Sequence, residues 1–303
     1  MTDFVVRLEM DGPIATPLLS GTLFGHLCWA YRAHRGGDAA LSAWLEKLQE
    51  TPFRLSDGFP RGWVPKPLLR PMARPPKEEI DRLDQQKEAK KAQLVPLETF
   101  LALRDGIDED RLASGTSTSP VAWTEKRTAH NTINRLTGRT PTSGGLYFMD
   151  EWWPNEASSG RDVYVSASMG AAELEELFSM VGEWGFGKDA SIGRGRFRAR
   201  VEREESGLLR HAGNRLMSLS HGTLTPNMHN ARYRINPVYG KVGGGLSMTQ
   251  NPFKFPMVLL KPGCTFAATE PGPYGELLHS VHPDLEFVVH NGWHLTAGFT
   301  EVH

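Results

Sequence analysis

Phe4, Val6 and Leu8 alternate with Val5, Arg7 and Glu9 at the start of the chain, the period of two that a half-buried strand requires. A Gly-Pro pair then breaks the pattern. From Ser20, the segment SGTLFGHLCWAYRAH sets Leu23, Leu27, Ala30 and Tyr31 at helical spacing, with Ser20 or Thr22 as the expected N-cap. Residues 51–67 hold too much Pro and Gly for a helix, so FRLS and GWVP read as short extended pieces about a turn. GLYFMDEWW and RDVYVSAS read as strands around a Pro-Asn-Glu loop. AAELEELFSMVGEWG puts Leu174, Leu177, Phe178 and Val181 on one helical stripe, stopped by Gly182 and Gly185. RGRFRARVERE then sets Phe197, Ala199 and Val201 against Arg196, Arg198 and Arg200, a strand with an arginine face. Downstream, LLRHAGNRLMSLSHGTL, FKFPMVLLKPG and LEFVVHNGWHLTAGF supply further strands and few helices. The pattern predicts an α+β chain of two units, 1–199 and 200–303.

Between Pro67 and Ser119 the pattern changes. PPKEEIDRLDQQKEAKKAQLVPLETFLALRDG can form a polar helix from Lys77 to Leu94, and GIDEDRLASGTSTSP has turn and disorder chemistry. This reads as an insertion of about 68–125 in the first unit. The length of 303 residues suits two domains, and 34 Lys and Arg against 35 Asp and Glu leave a net charge of -1. Neutrality conceals a division: residues 61–139 carry 15 basic and 11 acidic side chains, whereas 140–181 carry one Arg and seven acids. Cys28 and Cys264 stand far apart, which argues against a disulfide framework and for a reducing cytoplasm. No basic start with an apolar run, and no 18-residue apolar stretch, is present, so neither export nor a membrane span is expected.

Three segments carry candidate chemistry. In GEWGFGKDASIGRGRF, glycines 182, 185, 187, 193 and 195 interleave with Lys188, Arg194 and Arg196, so the backbone can approach a phosphate chain that cations neutralise. Gly182 to Lys188 fits GxxxxGK, but Asp189 stands where a P-loop needs Ser or Thr, and a strand pattern follows; a nucleotide hydrolase is excluded. In WTEKRTAHNTINRLTGR, Lys126, Arg127, Arg135 and Arg139 suit phosphates, while His130, Asn131 and Asn134 suit sugars or base edges. In PLLSGTLFG, Ser20, Gly21 and Thr22 offer amides at a helix start. The plain alternatives are a turn-making loop, a solvated polar segment and ordinary capping.

The order PLLSGTLFG, FRLSDGFPRGWVPKP, HNTINRLTG, GFGKDASIGRGRF resembles the RAMP superfamily, and in particular its Cas5-like subunit that binds the crRNA 5′ handle in type III-A (Csm) CRISPR effector complexes. The glycine-rich loop points to the superfamily; the SDGFP and PKP block with HNTINRLTG points to this subunit. The resemblance implies two RRM-like (ferredoxin-like) domains, with a thumb insertion in the first that presses on the guide–target duplex. It implies a cytoplasmic antiviral-defence role without catalysis and without a cofactor. The partners implied are crRNA, target RNA, a large polymerase-like subunit and a backbone RAMP subunit. It assigns RNA contact to Ser20, Gly21, Thr22 and Phe24, to Lys66, and to Arg127, His130, Asn131, Arg135 and Gly138. In the glycine-rich loop it assigns Gly187, Lys188, Ser191, Gly193, Arg194, Gly195 and Arg196.

The alternative is a metal-independent RAMP endoribonuclease that processes pre-crRNA, in which a histidine activates a 2′-hydroxyl. His26 on the first helix is its leading base, with His34 and His130 behind it. His279 with His282, or His290 with His294, have usable spacing for a metal but no nearby Cys or clustered acids to complete a tetrahedral set.

Overall fold

The computed structural model describes residues 1–70, 92–115, 123–141, 143–155, 160–248, 251–268 and 271–302. Strand β1 (Thr2–Met10) follows the alternation read from the sequence, with Phe4, Val6 and Leu8 buried. Helix α1 (Ser20–Arg35) buries Leu23, Phe24, Leu27 and Ala30. Its N-cap is Leu19, with no side-chain cap bond, so Ser20 lies one position inside the expected cap. It stops at Gly36, whose φ of 86° suits glycine. A helix not expected from the sequence, α2 (Asp38–Lys47), follows. FRLS and GWVP form β2 (Arg54–Leu55), β3 (Phe59–Pro60) and β4 (Trp63–Pro65).

The expected insertion is corrected in its second half. Lys77–Leu94 falls largely outside the described residues, but Leu94 itself opens β5 (Leu94–Pro96), which pairs with β4. Helix α3 (Leu97–Leu103) follows, and helix α4 (Glu109–Gly115) stands where turns and disorder were expected. Val95, Phe100, Ile107 and Leu112 are fully buried, each contributing about 1.5–3 kcal/mol as apolar surface withdrawn from water. Residues 94–112 are core, not appendage.

Strands β6 (Thr124–Asn131) and β7 (Leu146–Trp153) pair only with each other within the named sheets. GLYFMDEWW therefore does not pair with RDVYVSAS. The latter, as β8 (Gly160–Ala167), joins β1, helix α5 (Ala171–Trp184) and strand β9 (Phe197–Arg203). The sheet runs β2-β8-β1-β9, all antiparallel, with β3 also on β8. Taken as strand, helix, strand, strand, helix, strand, its spatial order is 2-3-1-4, that of a ferredoxin-like domain. α1 and α5 cover one face. β9 continues on β1 to Arg203, so the first sheet crosses the expected boundary at 199.

The second unit repeats that order. Its strands are β10 (Arg215–Ser218), β11 (Met228–Arg232), β12 (Ile235–Val238), β13 (Met257–Leu260), β14 (Thr265–Ala268), β15 (Leu277–Leu278), β16 (His290–Asn291) and β17 (Thr296–Phe299). The main sheet runs β11-β14-β10-β17, again 2-3-1-4 when its four strands are taken in chain order. No α-helix occurs in this unit among the described residues; a 3₁₀ turn at Gly244–Met248, the β12–β13 ribbon and the small β15–β16 pair stand in the connections. The two units share a core in which Val5 and Tyr164 of the first sheet meet Met217, Leu219, Ala297 and Phe299 of the second, with Phe100, Ile107 and Leu112 at its side. No helix is long and apolar enough to cross a membrane among the described residues.

Candidate nucleic-acid interface

The glycine-rich loop folds back on the first unit. Gly187 N–H donates to His26 Nε2 at 3.0 Å, Lys188 N–H to Thr16 Oγ1 at 2.8 Å, and Gly195 N–H to Pro13 O at 2.9 Å. Gly193 and Arg194 amides go to Ala190 O and Asp189 O within the loop. These five amides are already satisfied within the protein. The glycines serve close approach: a Cβ on Gly195, at φ 69°, would lie 2.1 Å from Phe186 O. What the loop presents outward is Lys188, Ser191 and Arg196, all exposed. The arginine face is partly spent, with Arg198 on Asp11 at 3.1 Å and Arg200 on Glu202 at 3.3 Å.

Arg194 is also inward. Its Nε donates to Glu151 Oε1 at 2.6 Å, and the Glu151 side chain is fully buried on β7. Glu151 Oε2 accepts from Thr128 Oγ1 at 3.0 Å and Trp153 Nε1 at 3.2 Å. Ile14 and Trp152 exchange backbone hydrogen bonds of 3.0 Å. An isolated two-stranded ribbon is marginal in water, and these contacts clamp the β6–β7 ribbon at its base to the loop and to residue 14. Toward the turn the ribbon is bare: Ile133, Leu136, Leu146, Tyr147 and Phe148 are exposed, Leu136 at 97%.

Strand alternation divides the residues expected on this segment. Lys126, Thr128 and His130 share a face with Tyr147, Met149 and Glu151, and Arg127 and Asn131 share the other with Phe148 and Leu146. On the first face Lys126 sits over Trp153 at 4.9 Å and His130 stacks on Tyr147 at 5.4 Å. On the second Arg127 sits over Phe148 at 5.1 Å. Arg135 and Gly138 lie in the exposed turn, where Gly138 takes φ 63°.

The N-terminal motif is corrected most. Phe24 is a core residue against Trp44 and Phe53. Gly21 is covered by the His290 ring, and of the four residues expected to contact RNA here only Thr22 stays part-exposed. Ser20 is buried; its hydroxyl donates to His221 O at 3.2 Å and accepts from His221 N–H at 3.1 Å. Asp57, from the SDGFP block, accepts from Ser20 N–H at 2.9 Å and His221 N–H at 3.2 Å, and its Oδ2 bonds His221 Nδ1 at 2.6 Å. The Ser20 hydroxyl meets the backbone of His221 and not its ring, so this trio ties the two units together and activates no nucleophile. The residues involved belong to motifs of the first unit, but their partner, 164 positions away, leaves no local signal in the sequence.

Beside this junction a cavity of about 630 Å³ opens between the units. Lys66 lines it together with Asp57, His221, Arg234, Asn236 and Lys261. The last four come from the second unit, for which the sequence offered no site. Two of the three histidines expected as alternatives are occupied: burial pushes the His26 pKa down to about 4 while its Nε2 accepts the Gly187 amide, and His34 Nδ1 faces Glu176 at 3.1 Å; the third, His130, has its Nε2 3.8 Å from Glu151 Oε1. His290 and His294 are likewise pushed down by burial, to about 3 and about 4. Among the described residues no three His, Cys, Asp or Glu side chains converge as a metal site requires.

No family model and no curated protein matches the chain. Solved structures do. A chain of the Csm1–Csm4 cassette in complex with AMPPNP aligns over 100% of both chains at TM-score 0.63 and 18% identity. One from the same cassette with cA3 aligns over 100% of both at 0.61 and 19%. One from the Csm3–Csm4 subcomplex of the type III-A CRISPR-Cas interference complex aligns over 99% of both at 0.61 and 14%. Csm4 is the component common to these assemblies, and the present chain shares the fold of the aligned chains, two ferredoxin-like units.

Proposed function

We propose that this protein is a non-catalytic, crRNA-binding subunit of a type III-A CRISPR effector complex, holding the 5′ handle and linking a large polymerase-like subunit to a backbone RAMP filament. The observation that carries this is the end-to-end likeness to a component found with Csm1 in one assembly and with Csm3 in another. The exposed Lys188, Ser191 and Arg196 of the glycine-rich loop, with Lys66 at the cavity, supply the cations and hydroxyls that a single RNA strand requires. The β6–β7 ribbon is the thumb in this reading. Its base is fixed and its apolar tip is bare, as a wedge against stacked base pairs needs to be.

A non-catalytic role is supported by His26. A base must have its lone pair available, and that of His26 is turned to Gly187. The test is association: the tagged protein, purified from its own cells, is expected to carry a short RNA of uniform 5′ end, a much larger subunit and a smaller repeated one. Recovery with none of these, or EDTA-resistant cleavage of repeat RNA abolished by His26→Ala, overturns the reading. Lys188→Ala with Arg196→Ala is expected to lower the log–log salt slope of handle binding by about 0.7 for each phosphate that is no longer neutralised.

A further inference from the structure

Between Glu205 and Glu270 the chain has no Asp or Glu, yet it carries Arg210, Arg215, Arg232, Arg234, Lys241, Lys254 and Lys261. Some of these charges are neutralised by acids elsewhere. Arg210 faces Asp3 at 3.6 Å, and Arg232 and Arg215 face Glu301 at 2.6 and 3.5 Å. Lys254 turns inward, its Nζ donating to Val289 O at 3.0 Å. Arg234, Lys241 and Lys261 form no ion pair with a carboxylate among the described residues.

These three cations lie along one ribbon. Ile235–Val238 pairs with Met257–Leu260, and the ladder extends at both ends: Lys261 N–H donates to Arg234 O at 2.8 Å, Lys254 N–H to Gly240 O at 2.9 Å, and Lys241 bridges Phe253. Alternation turns Met257 and Leu259 into the protein and leaves Ile235, Pro237, Tyr239 and Val258 outward, Tyr239 at 75% exposure. Phe253 and Phe255 are half-exposed, and the Lys241 ammonium sits over the Phe253 ring at 4.6 Å. Beyond Lys241, Gly243 and Gly244 lie against the Trp29 indole of α1. The ribbon is thus held at both ends, by the second sheet and by the first unit. Its root, Arg234 and Lys261, opens into the cavity that Lys66 and His221 also line.

We infer that this β12–β13 ribbon is a second single-stranded RNA track, in which bases stack on Tyr239 and Phe253 while Arg234, Lys241 and Lys261 follow the phosphates. A fixed ribbon with exposed aromatic rings and Lys241 outward, and with Arg234 and Lys261 at its root toward the cavity, combines the stacking surfaces and cations that sequence-tolerant binding of a single strand requires. The absence of carboxylates over the whole stretch favours a polyanion over a protein surface of mixed charge. The inference rests on the RNA-binding reading above, but on a different surface from the glycine-rich loop.

The experiment uses the full chain and two fluorescent RNAs: an oligouridylate of about 12 nucleotides, within the span of such tracks, and the handle RNA. Tyr239→Ala with Phe253→Ala is expected to weaken oligouridylate binding about fivefold to a hundredfold. Lys241→Ala with Lys261→Ala is expected to lower the salt slope by about 0.7 per phosphate left without its cation. All four side chains reach the surface or the cavity, and unchanged melting of the variants confirms that folding is kept; Lys241→Glu serves as a charge-reversal control. If both double variants bind oligouridylate as the parent does, the inference is overturned, even while Lys188→Ala with Arg196→Ala loses the handle. Unaltered RNA binding with loss of a protein subunit from the purified complex overturns it in favour of a protein interface. If the parent binds neither RNA, both this inference and the proposed function fall.

Discussion

Arg194 reaches from the glycine-rich loop to the buried carboxylate of Glu151, 2.6 Å away on the β6–β7 ribbon. A cation that composition assigns to RNA is therefore a structural counter-ion, and it couples the loop to the base of the ribbon. Breaking a buried pair strands a charge, which costs about 3–5 kcal/mol, whereas replacing both partners by apolar groups costs far less. Arg194→Ala is expected to cost about 3 kcal/mol in urea unfolding, and Arg194→Met with Glu151→Leu is expected to recover much of it. Equal stability of the two variants would show that the pair is not the clamp.

Acid is expected to destabilise the protein in a defined window. The pKa values of His26, His290 and His294 are held at about 4, about 3 and about 4 by burial, below the ordinary value of about 6.5 in an unfolded chain. The unfolded state therefore binds more protons between about pH 6.5 and the folded values. Stability is full above the unfolded value and lost as pH falls through that range, by up to about 1.4 kcal/mol per pH unit for each histidine. Denaturation midpoints measured from neutral to mildly acidic pH check this, and His294→Asn is expected to flatten the curve.

Two neighbouring glycines in one loop are expected to differ. Both take positive φ, 90° at Gly193 and 69° at Gly195, but a Cβ at Gly193 meets open space while one at Gly195 strikes Phe186 O. Gly193→Ala is expected to cost about 1 kcal/mol, the left-handed penalty alone. Gly195→Ala is expected to lower the melting temperature several times further.

Asp57 is expected to act as a fastener between the units. Asp57→Ala leaves the Ser20 amide and His221 Nδ1 without their acceptor, and the His221 amide with the Ser20 hydroxyl alone; each buried bond to a charged group contributes about 1.5–3 kcal/mol. Calorimetry is expected to show one unfolding transition for the parent and two for the variant. A single transition at an unchanged temperature would remove Asp57 from this role.

The alternating strands and the apolar stripes of α1 and α5 were legible because each obeys a local period that burial enforces. The strand order 2-3-1-4 in the first unit follows from them. The second unit kept that order while replacing both helical crossovers with turns and ribbons, so no periodicity announced it. At the candidate site, Lys188 and Arg196 were legible as outward cations. Ser20, Phe24 and Arg194 were not, because what decides their role is a partner distant in sequence: His221, Phe53 and Glu151. The freedom of Arg234, Lys241 and Lys261 had one sequence signal, the carboxylate-free stretch around them.

The last strand and the middle of the chain complete each other. Ile107 N–H donates to Thr300 O at 2.8 Å, Val302 N–H returns to Ile107 O at 3.0 Å, and Phe100 packs edge-on against Phe299. During synthesis Phe100, Ile107 and Leu112 leave the ribosome nearly two hundred residues before the surface that covers them. Until translation reaches β17 their cover is incomplete, and a chain truncated before residue 296 is expected to expose them and to be cut faster by protease than the full chain.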